Sequence, residues 1–264
     1  VHARVTGVQA IRAPSSAEEM EAEVARLPAV QRIVVRVMRD EFTVSADAAG
    51  ALLYLRGWRQ AVAKAPLRET LAATLLLASG WDPRLPLLDP FCGSGTIAIE
   101  AGLLARRMAP GRSRRFAIET WPGFGENVMT TARERAAAVE RTAVASIVGR
   151  DRDAGAIAAA IANAERAGVA GDITFTRETI SALTPDTGQG WLVTNPPYGA
   201  RIGERTGLRD LYAALGRVLR ERRPGWRLAM LSADRMLEAQ TQLKLEEVIR
   251  TTNGGIPVRV VRSA

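Results

Sequence analysis

Cysteine and histidine are almost absent: Cys92 and His2 are the only examples in 264 residues. A single cysteine closes no internal disulfide, and one Cys with one His cannot complete a tetrahedral zinc site. His2, at the extreme N-terminus, is poorly placed for acid–base work. Catalysis by this chain therefore has to use carboxylates, amides, backbone groups or a bound cofactor, without a metal. Lysine is nearly missing too, at Lys64 and Lys244 alone, so the formal charge of +8 is carried by arginine. Arginine's planar fork suits phosphates and base edges, and a GC-rich genome makes the same exchange; charge speaks to partners and not to fold. Apolar runs such as Leu71–Ala78 fall far short of the roughly 20 residues of a membrane span. No basic segment followed by an apolar stretch marks a signal peptide. A soluble, cytoplasmic protein is expected, and Val1 in place of methionine suggests that upstream residues have been removed.

What is present is globular. Hydrophobic residues make up 47% and charged residues 24%, which excludes disorder for most of the chain. Residues 1–50 read as a small α+β segment: strand Val5–Ile11, helix Ala17–Leu27 with a Ser16/Glu19 capping box, strand Arg32–Met38, a turn at Arg39–Asp40 and strand Phe42–Ala46. Residues 51–264 read as a larger domain, entered through a connector with Tyr54, Gly57 and Trp58 and a helix over Leu67–Ala78. From Leu87 onward short apolar runs alternate with helical patterns, which predicts βα units and a parallel sheet. The expected strands are Leu87–Asp89, Arg115–Ile118, Ala143–Val148, Ile173–Phe175, Trp191–Thr194 and Arg227–Leu231. Helices are expected over Thr96–Met108, Glu126–Val139, Ala154–Ala167 and Leu208–Arg222. The rhythm breaks at the end, where Lys244–Thr251 and Ile256–Val261 flank Asn253-Gly254-Gly255, a hairpin-turn signal.

Three stretches carry chemistry. Asp89-Pro90-Phe91-Cys92-Gly93-Ser94-Gly95-Thr96 leaves a short strand and opens a helix. Its glycines let backbone approach a ligand closely, and the free amides of the helix start suit a carboxylate. Gly149-Arg150-Asp151-Arg152-Asp153 ends a later strand; Asp151 is placed to accept from ribose hydroxyls, whereas Asp153 reads as the N-cap of the helix from Ala154. Asn195-Pro196-Pro197-Tyr198 follows the Trp191–Thr194 strand. Its prolines fix the backbone and free flanking carbonyls from any ladder. The Asn195 oxygen and such a carbonyl can both accept from one planar amino group and draw it toward tetrahedral geometry, while Tyr198 can stack on a planar substrate.

The Asp89–Thr96 octet resembles the S-adenosylmethionine site of class I methyltransferases. In that family the turn, here Phe91, Gly93, Gly95 and Thr96, holds the methionyl part of the cofactor, and Asp89 lies near its amino group. A doubly wound α/β sheet that finishes in a β-hairpin is that family's usual profile. The Asn195–Tyr198 tetrapeptide resembles the signature of amino-methyltransferases acting on adenine N6, guanine N2 or a glutamine amide, and does not choose among them. Cytosine-C5 enzymes are disfavoured: they need a cysteine nucleophile, and Cys92 sits in the cofactor turn as a small buried residue.

The surrounding text selects among the three. Lys64–Ala72 and Phe116–Phe124 resemble the guanine-N2 RNA methyltransferases that carry a THUMP domain, a likeness running over about residues 45–264. It implies an S-adenosylmethionine-dependent enzyme methylating guanine N2 in rRNA or tRNA, with Glu69 and Thr70 folded over the cofactor. The family's acidic residue for the adenine amino group falls on Thr179, beside Glu178, which could substitute. Residues 1–46 resemble only the C-terminal part of a THUMP domain, so weak RNA capture by this chain alone is expected. Arg106, Arg107, Arg112, Arg114 and Arg115, and Arg217, Arg220, Arg222, Arg223 and Arg227, could follow an RNA backbone or be solvated helix ends. Two other readings stand beside the leading one: an adenine-N6 methyltransferase on DNA or RNA, and a non-catalytic RNA-binding module that retains the fold.

Overall fold

The computed structural model describes residues 32–39, 41–60, 67–121, 123–143, 145–198 and 205–263. They form two compact units, one ending at Ala51 and taking in Phe116–Glu126, the other made of Leu52–Arg115 and Asn127–Ala264. The smaller unit holds an antiparallel pair, β1 (Ile33–Met38) and β2 (Glu41–Ala46), in register Val35↔Val44. The strand expected at 5–11 and the helix expected at 17–27 lie outside the described residues. The strand expected at Arg115–Ile118 is not formed. Ala117–Thr120 is a 3-10 turn, closed by the Phe116 amide donating to Glu119 Oε1 at 2.8 Å. A three-residue apolar run, Phe116–Ile118, fits strand and turn equally, and the local side-chain acceptor decides for the turn.

The larger unit is a seven-stranded sheet in the order β5-β4-β3-β6-β7-β9-β8. Its strands are β3 (Leu87–Asp89), β4 (Ile147–Asp151), β5 (Ile173–Arg177), β6 (Gly190–Thr194), β7 (Trp226–Ser232), β8 (Leu245–Asn253) and β9 (Ile256–Ser263). The first five strands in that order are parallel; β9 pairs antiparallel with β7, and β8 antiparallel with β9. β3 and β6 are buried at every position, as expected for parallel strands covered on both faces. Side-chain alternation divides the core: Leu87, Trp191, Val193, Ala229 and Leu231 face one layer, and Leu88, Leu192, Leu228 and Met230 face the other. The chain winds outward from β3 to β5, then returns to add β6 and β7 on the opposite side. The strand order thus reverses between β3 and β6, and in sheets of this kind the crevice outside the strands' C-terminal ends at such a reversal is where ligands bind.

Six helices complete the domain: α1 (Glu69–Ser79), α2 (Thr96–Ala105), α3 (Glu126–Ala137), α4 (Ala154–Ala167), α5 (Arg205–Arg217) and α6 (Arg235–Gln240). Nine of the ten residues of α2 are buried, so its sequence lacks the polar stripe of a surface helix. α4 buries Ile157, Ala160, Ala164 and Ala167 along one face and stops at Gly168 in the left-handed region. α5, expected to run as an α-helix to Arg222, gives way to a π-helical turn at Val218–Arg222. α6 was not visible in the sequence: its six residues are less than two turns, too short for periodicity to register. No helix among the described residues is long and apolar enough to cross a membrane.

α5 approaches the end of α6 closely. A Cβ on Gly216 would lie 1.8 Å from the Thr241 carbonyl oxygen, a backbone atom that cannot rotate away. Gly216→Ala is expected to destabilise the domain by about 1–3 kcal/mol, read as a lower denaturant midpoint with an unchanged slope; an unaltered midpoint would mean that the two helices are free to separate.

Candidate active site

The reversal crevice gathers the chemistry. Asp89 ends β3 and Thr194 ends the neighbouring β6, so the two side chains meet across the strand pair. Thr194 Oγ1 donates to Asp89 Oδ1 at 2.6 Å, and the Phe91 amide donates to the same oxygen at 3.2 Å. Asp89 is 1% exposed. Burial, aided by the Asp151 charge and opposed by those two donors, pushes its carboxyl up to about 7. The hydrogen bond ties the start of the glycine turn to the residue directly before Asn195.

The turn is held from three sides. The Gly93 amide donates to Asp151 Oδ2 at 2.9 Å, while the Asp153 amide donates to Asp151 Oδ1 at 3.0 Å. Asp151 therefore organises the turn as well as facing the crevice end of β4. The Cys92 amide donates to the Arg150 carbonyl at 2.9 Å. From behind, Asn163 of α4 donates through Nδ2 to the Ser94 carbonyl at 3.1 Å. Gly95, at φ 84°, caps α2 without a side-chain partner for the first amides. A Cβ there would sit 3.0 Å from Ala160 and 3.1 Å from the Phe175 ring, so only glycine leaves the turn in this shape. Cys92 is buried, and burial followed by the Asp89 and Asp151 charges raises its thiol, which suits an inert residue and not a thiolate nucleophile.

Arginines link the connector to the same turn. Arg59 donates from Nη2 to Thr96 Oγ1 at 2.9 Å and to the Leu67 carbonyl, and its Nε lies 3.2 Å from Glu69. Arg56 Nε is 2.7 Å from Glu100 Oε1. Glu69 and Glu100 are each 2% exposed; burial raises both, Glu100 to about 7 against the pull of Arg56. Arg59 and Glu69 also line a cavity of about 310 Å³ with Tyr54, Arg56 and Arg68. Glu69 thus reaches Thr96 through Arg59. The Thr70 side chain is half-buried, with no polar contact to the turn.

In the tetrapeptide, Pro196 is buried, Pro197 exposed and Tyr198 half-buried. Asn195 Oδ1 is buried with no hydrogen-bond partner, an acceptor withdrawn from water and unspent within the chain. The Tyr198 hydroxyl accepts from Asn253 Nδ2 at 2.7 Å. Thr179 is exposed at the start of a 3-10 turn and caps nothing. Its neighbour Glu178 pairs with Arg150 while the Glu178 amide donates to the Asp151 carbonyl at 3.0 Å, so the carboxylate beside the C-terminal end of β4 is Glu178. Asp153 caps α4, accepting from the Gly155 and Ala156 amides at 2.7 and 3.1 Å.

Many of the clustered arginines serve the fold. Arg106 and Arg112 donate to the Gly168 and Ala167 carbonyls at the C-terminal end of α4. Arg222 donates to the Ser181 and Leu183 carbonyls. Arg223, 7% exposed, stacks 4.3 Å from the Trp226 ring centre. These side chains satisfy backbone acceptors at element ends; Arg107, Arg115, Arg217 and Arg227 remain exposed. The contacts of Asn163, Thr194, Arg59 and Asn253 had no signal in the sequence, where Asn253 read only as part of a hairpin turn, because each acts on a partner distant in the chain.

The family model described as the RMKL-like methyltransferase domain matches residues 56–262. The chain is 37% identical over 232 residues to the Synechocystis protein named "Putative RNA methyltransferase slr0064", covering 87% of this chain and 60% of that protein. It is 38% identical over 241 residues to the ribosomal RNA large subunit methyltransferase K/L of Shewanella loihica, covering 89% of this chain and 34% of the relative. The chain thus spans less than two thirds of the length of the first and about one third of the second. The solved structure of SMU.472, described as "a putative methyltransferase complexed with SAH", superposes with a TM-score of 0.80 at 28% identity, covering 93% of this chain and 66% of that one. With the strand order, the glycine turn and the family match in agreement, the chain belongs to the RMKL-like methyltransferase-domain family.

Proposed function

We propose that this chain is the catalytic domain of an S-adenosylmethionine-dependent RNA methyltransferase acting on the exocyclic N2 of guanine. The observation that carries the reading is the unpartnered, buried Asn195 Oδ1, one residue beyond the threonine bonded to the glycine turn's Asp89. A buried acceptor left unsatisfied costs about 1–3 kcal/mol, and a donor supplied by substrate offsets that cost. An amino group on a planar base is such a donor.

The residues present fit the cofactor: a glycine cradle that a Cβ would fill, uncapped amides at the start of α2, and carboxylates at the ends of β3 and β4. In this reading Asp89 meets the cofactor's amino group, the turn Phe91–Thr96 holds the methionyl part, and Asp151 accepts from the ribose. Glu178 stands for the adenine contact that the sequence assigned to Thr179. Glu69 acts on the turn through Arg59, with Thr70 beside it. When bound, S-adenosylmethionine supplies an electrophilic methyl on a sulfonium. Asn195 Oδ1 and a carbonyl of the proline pair hold the two amino hydrogens, which exposes the nitrogen lone pair along the line of attack. Tyr198 stacks on the base, splayed out of its helix. Held so, the nitrogen would be aligned to take the methyl that the cofactor supplies, with the extra proton of the amine passing to water, so positioning by Asn195 and Tyr198 would do most of the catalysis.

Incubation with labelled cofactor and, separately, large-subunit ribosomal RNA, tRNA and duplex DNA, followed by nucleoside mass spectrometry, tests the assignment. N2-methylguanosine from one of the RNAs is expected; methyl on adenine N6 would replace the guanine reading. Calorimetry that detects no S-adenosylmethionine binding would leave only the non-catalytic RNA-binding module.

A further inference from the structure

We infer that Asn253, at the tip of the C-terminal hairpin, is a positioning residue for methyl transfer: its side-chain amide holds the Tyr198 hydroxyl and fixes where that ring stands. The inference rests on the reading of Tyr198 as the surface on which the target base stacks. Asn253 looks at first like part of the turn, since Asn-Gly is a hairpin signal. The turn itself uses Gly254 and Gly255, at φ 57° and 85°, and Asn253 pairs with Ile256 as the last strand residue before it. The backbone there places no demand for asparagine, and the side chain is free for another task.

That task is set by topology. β9 runs antiparallel to β7 with Ser232 opposite Arg259, so the hairpin tip returns to the C-terminal edge of the parallel strands, where Asn195 and Tyr198 lie. The Tyr198 ring packs against the core layer, and Asn253 Nδ2 donates to its hydroxyl at 2.7 Å. The proline pair fixes the backbone before the ring, but the ring torsion of a tyrosine is soft. A hydrogen bond at the hydroxyl, which lies on the ring's rotation axis, pins where the far end of the ring stands and favours the plane that turns an in-plane phenol lone pair toward the donor, much as support behind any reactive group preserves its geometry.

A double-mutant cycle in the full chain tests this, with an unmodified large-subunit ribosomal RNA transcript and labelled S-adenosylmethionine. Asn253→Ala is expected to lower kcat/KM for RNA by about 10- to 100-fold with cofactor affinity unchanged. Tyr198→Phe, which keeps the ring and removes the hydroxyl, should give the same loss, and the double variant should be no worse than either. Asn253→Asp, whose carboxylate can accept from the phenol, should keep most of the activity. Multiplicative losses, or full activity in Asn253→Ala, would overturn the inference. Full activity in Tyr198→Ala would instead remove the stacking reading. A substrate-free arm separates the two: in ultraviolet titration, using Tyr198→Phe to isolate the phenol signal, Asn253→Ala should raise the titration point of Tyr198, because the amide donor favours the phenolate. An unchanged titration would overturn the clamp whatever the RNA experiment shows.

Discussion

Asn195→Ala is expected to lower methyl transfer by about 10²- to 10³-fold, the scale on which removing one preorganised polar contact to a reacting group acts. S-adenosylmethionine affinity should be unchanged, because Asn195 lies after β6 while the cradle follows β3. The apo protein should be as stable as the wild type or more so. In the wild type Asn195 Oδ1 is buried without a partner, so alanine removes an unsatisfied acceptor and deletes no hydrogen bond from that oxygen. Activity, calorimetry and thermal unfolding on one preparation separate the possibilities. A variant that is inactive because it is unfolded would argue for a structural asparagine; a fully active one would remove it from the chemistry.

The second large effect is a pH dependence centred on Asp89. Its carboxyl is pushed up to about 7 in the folded chain, chiefly by burial, against about 3.9 for a free aspartate. In the proposed function the cofactor's ammonium meets Asp89 and favours its ionised form, so S-adenosylmethionine affinity should fall as pH drops below about 7. Asp89→Asn should weaken binding by about 10- to 100-fold at pH 8 and flatten the profile. The groups facing Asp89 are Thr194 on β6, Cys92 in the turn and Asp151 on β4. Thr194→Val removes one donor to the carboxylate and should move the acid limb upward, while Thr194→Ser should restore it.

The same shift bears on stability with a definite sign. Asp89 and Glu100 both hold protons to about 7 in the folded state, whereas the unfolded chain releases them near pH 4. Their contribution is fully present below the unfolded values and is lost as pH rises through 7. The unliganded domain should therefore unfold at a higher temperature at pH 5 than at pH 8. Carboxylates held low by arginines, such as Asp82 and Glu247, are ionised throughout that window and do not oppose the trend. Equal unfolding temperatures at the two pH values would mean that these buried carboxyls are not raised.

Much of the sheet was legible because its signal is local. Leu87–Asp89 and Trp191–Thr194 are apolar runs followed by glycine or proline punctuation, and burial on both faces makes such runs look alike wherever a parallel sheet is covered. Where the physics is less local the reading failed: the run at Arg115–Ile118 was turned by Glu119, and β4 begins at Ile147, four residues later than expected. That strand starts where β3 offers pairing, with Leu87 opposite Ile147. The arginine clusters were ambiguous in sequence for the same reason, since the carbonyls they serve belong to other elements.

By itself the sequence determined a parallel sheet with a terminal hairpin, a glycine turn opening a helix, and an asparagine–proline–proline–tyrosine loop after a strand. Spacing, backbone restriction and side-chain inventory are properties of consecutive residues, and they carried that far. Tertiary structure alone decided that Thr194 donates to Asp89, 105 residues away, that Asn163 supports the glycine turn across 69 residues, and that Asn253 reaches Tyr198 across 55. It also left the Asn195 oxygen buried and unpartnered. Pairing and burial depend on which strands become neighbours, and that follows from the reversal of strand order at β3 and β6, which no stretch of contiguous sequence encodes.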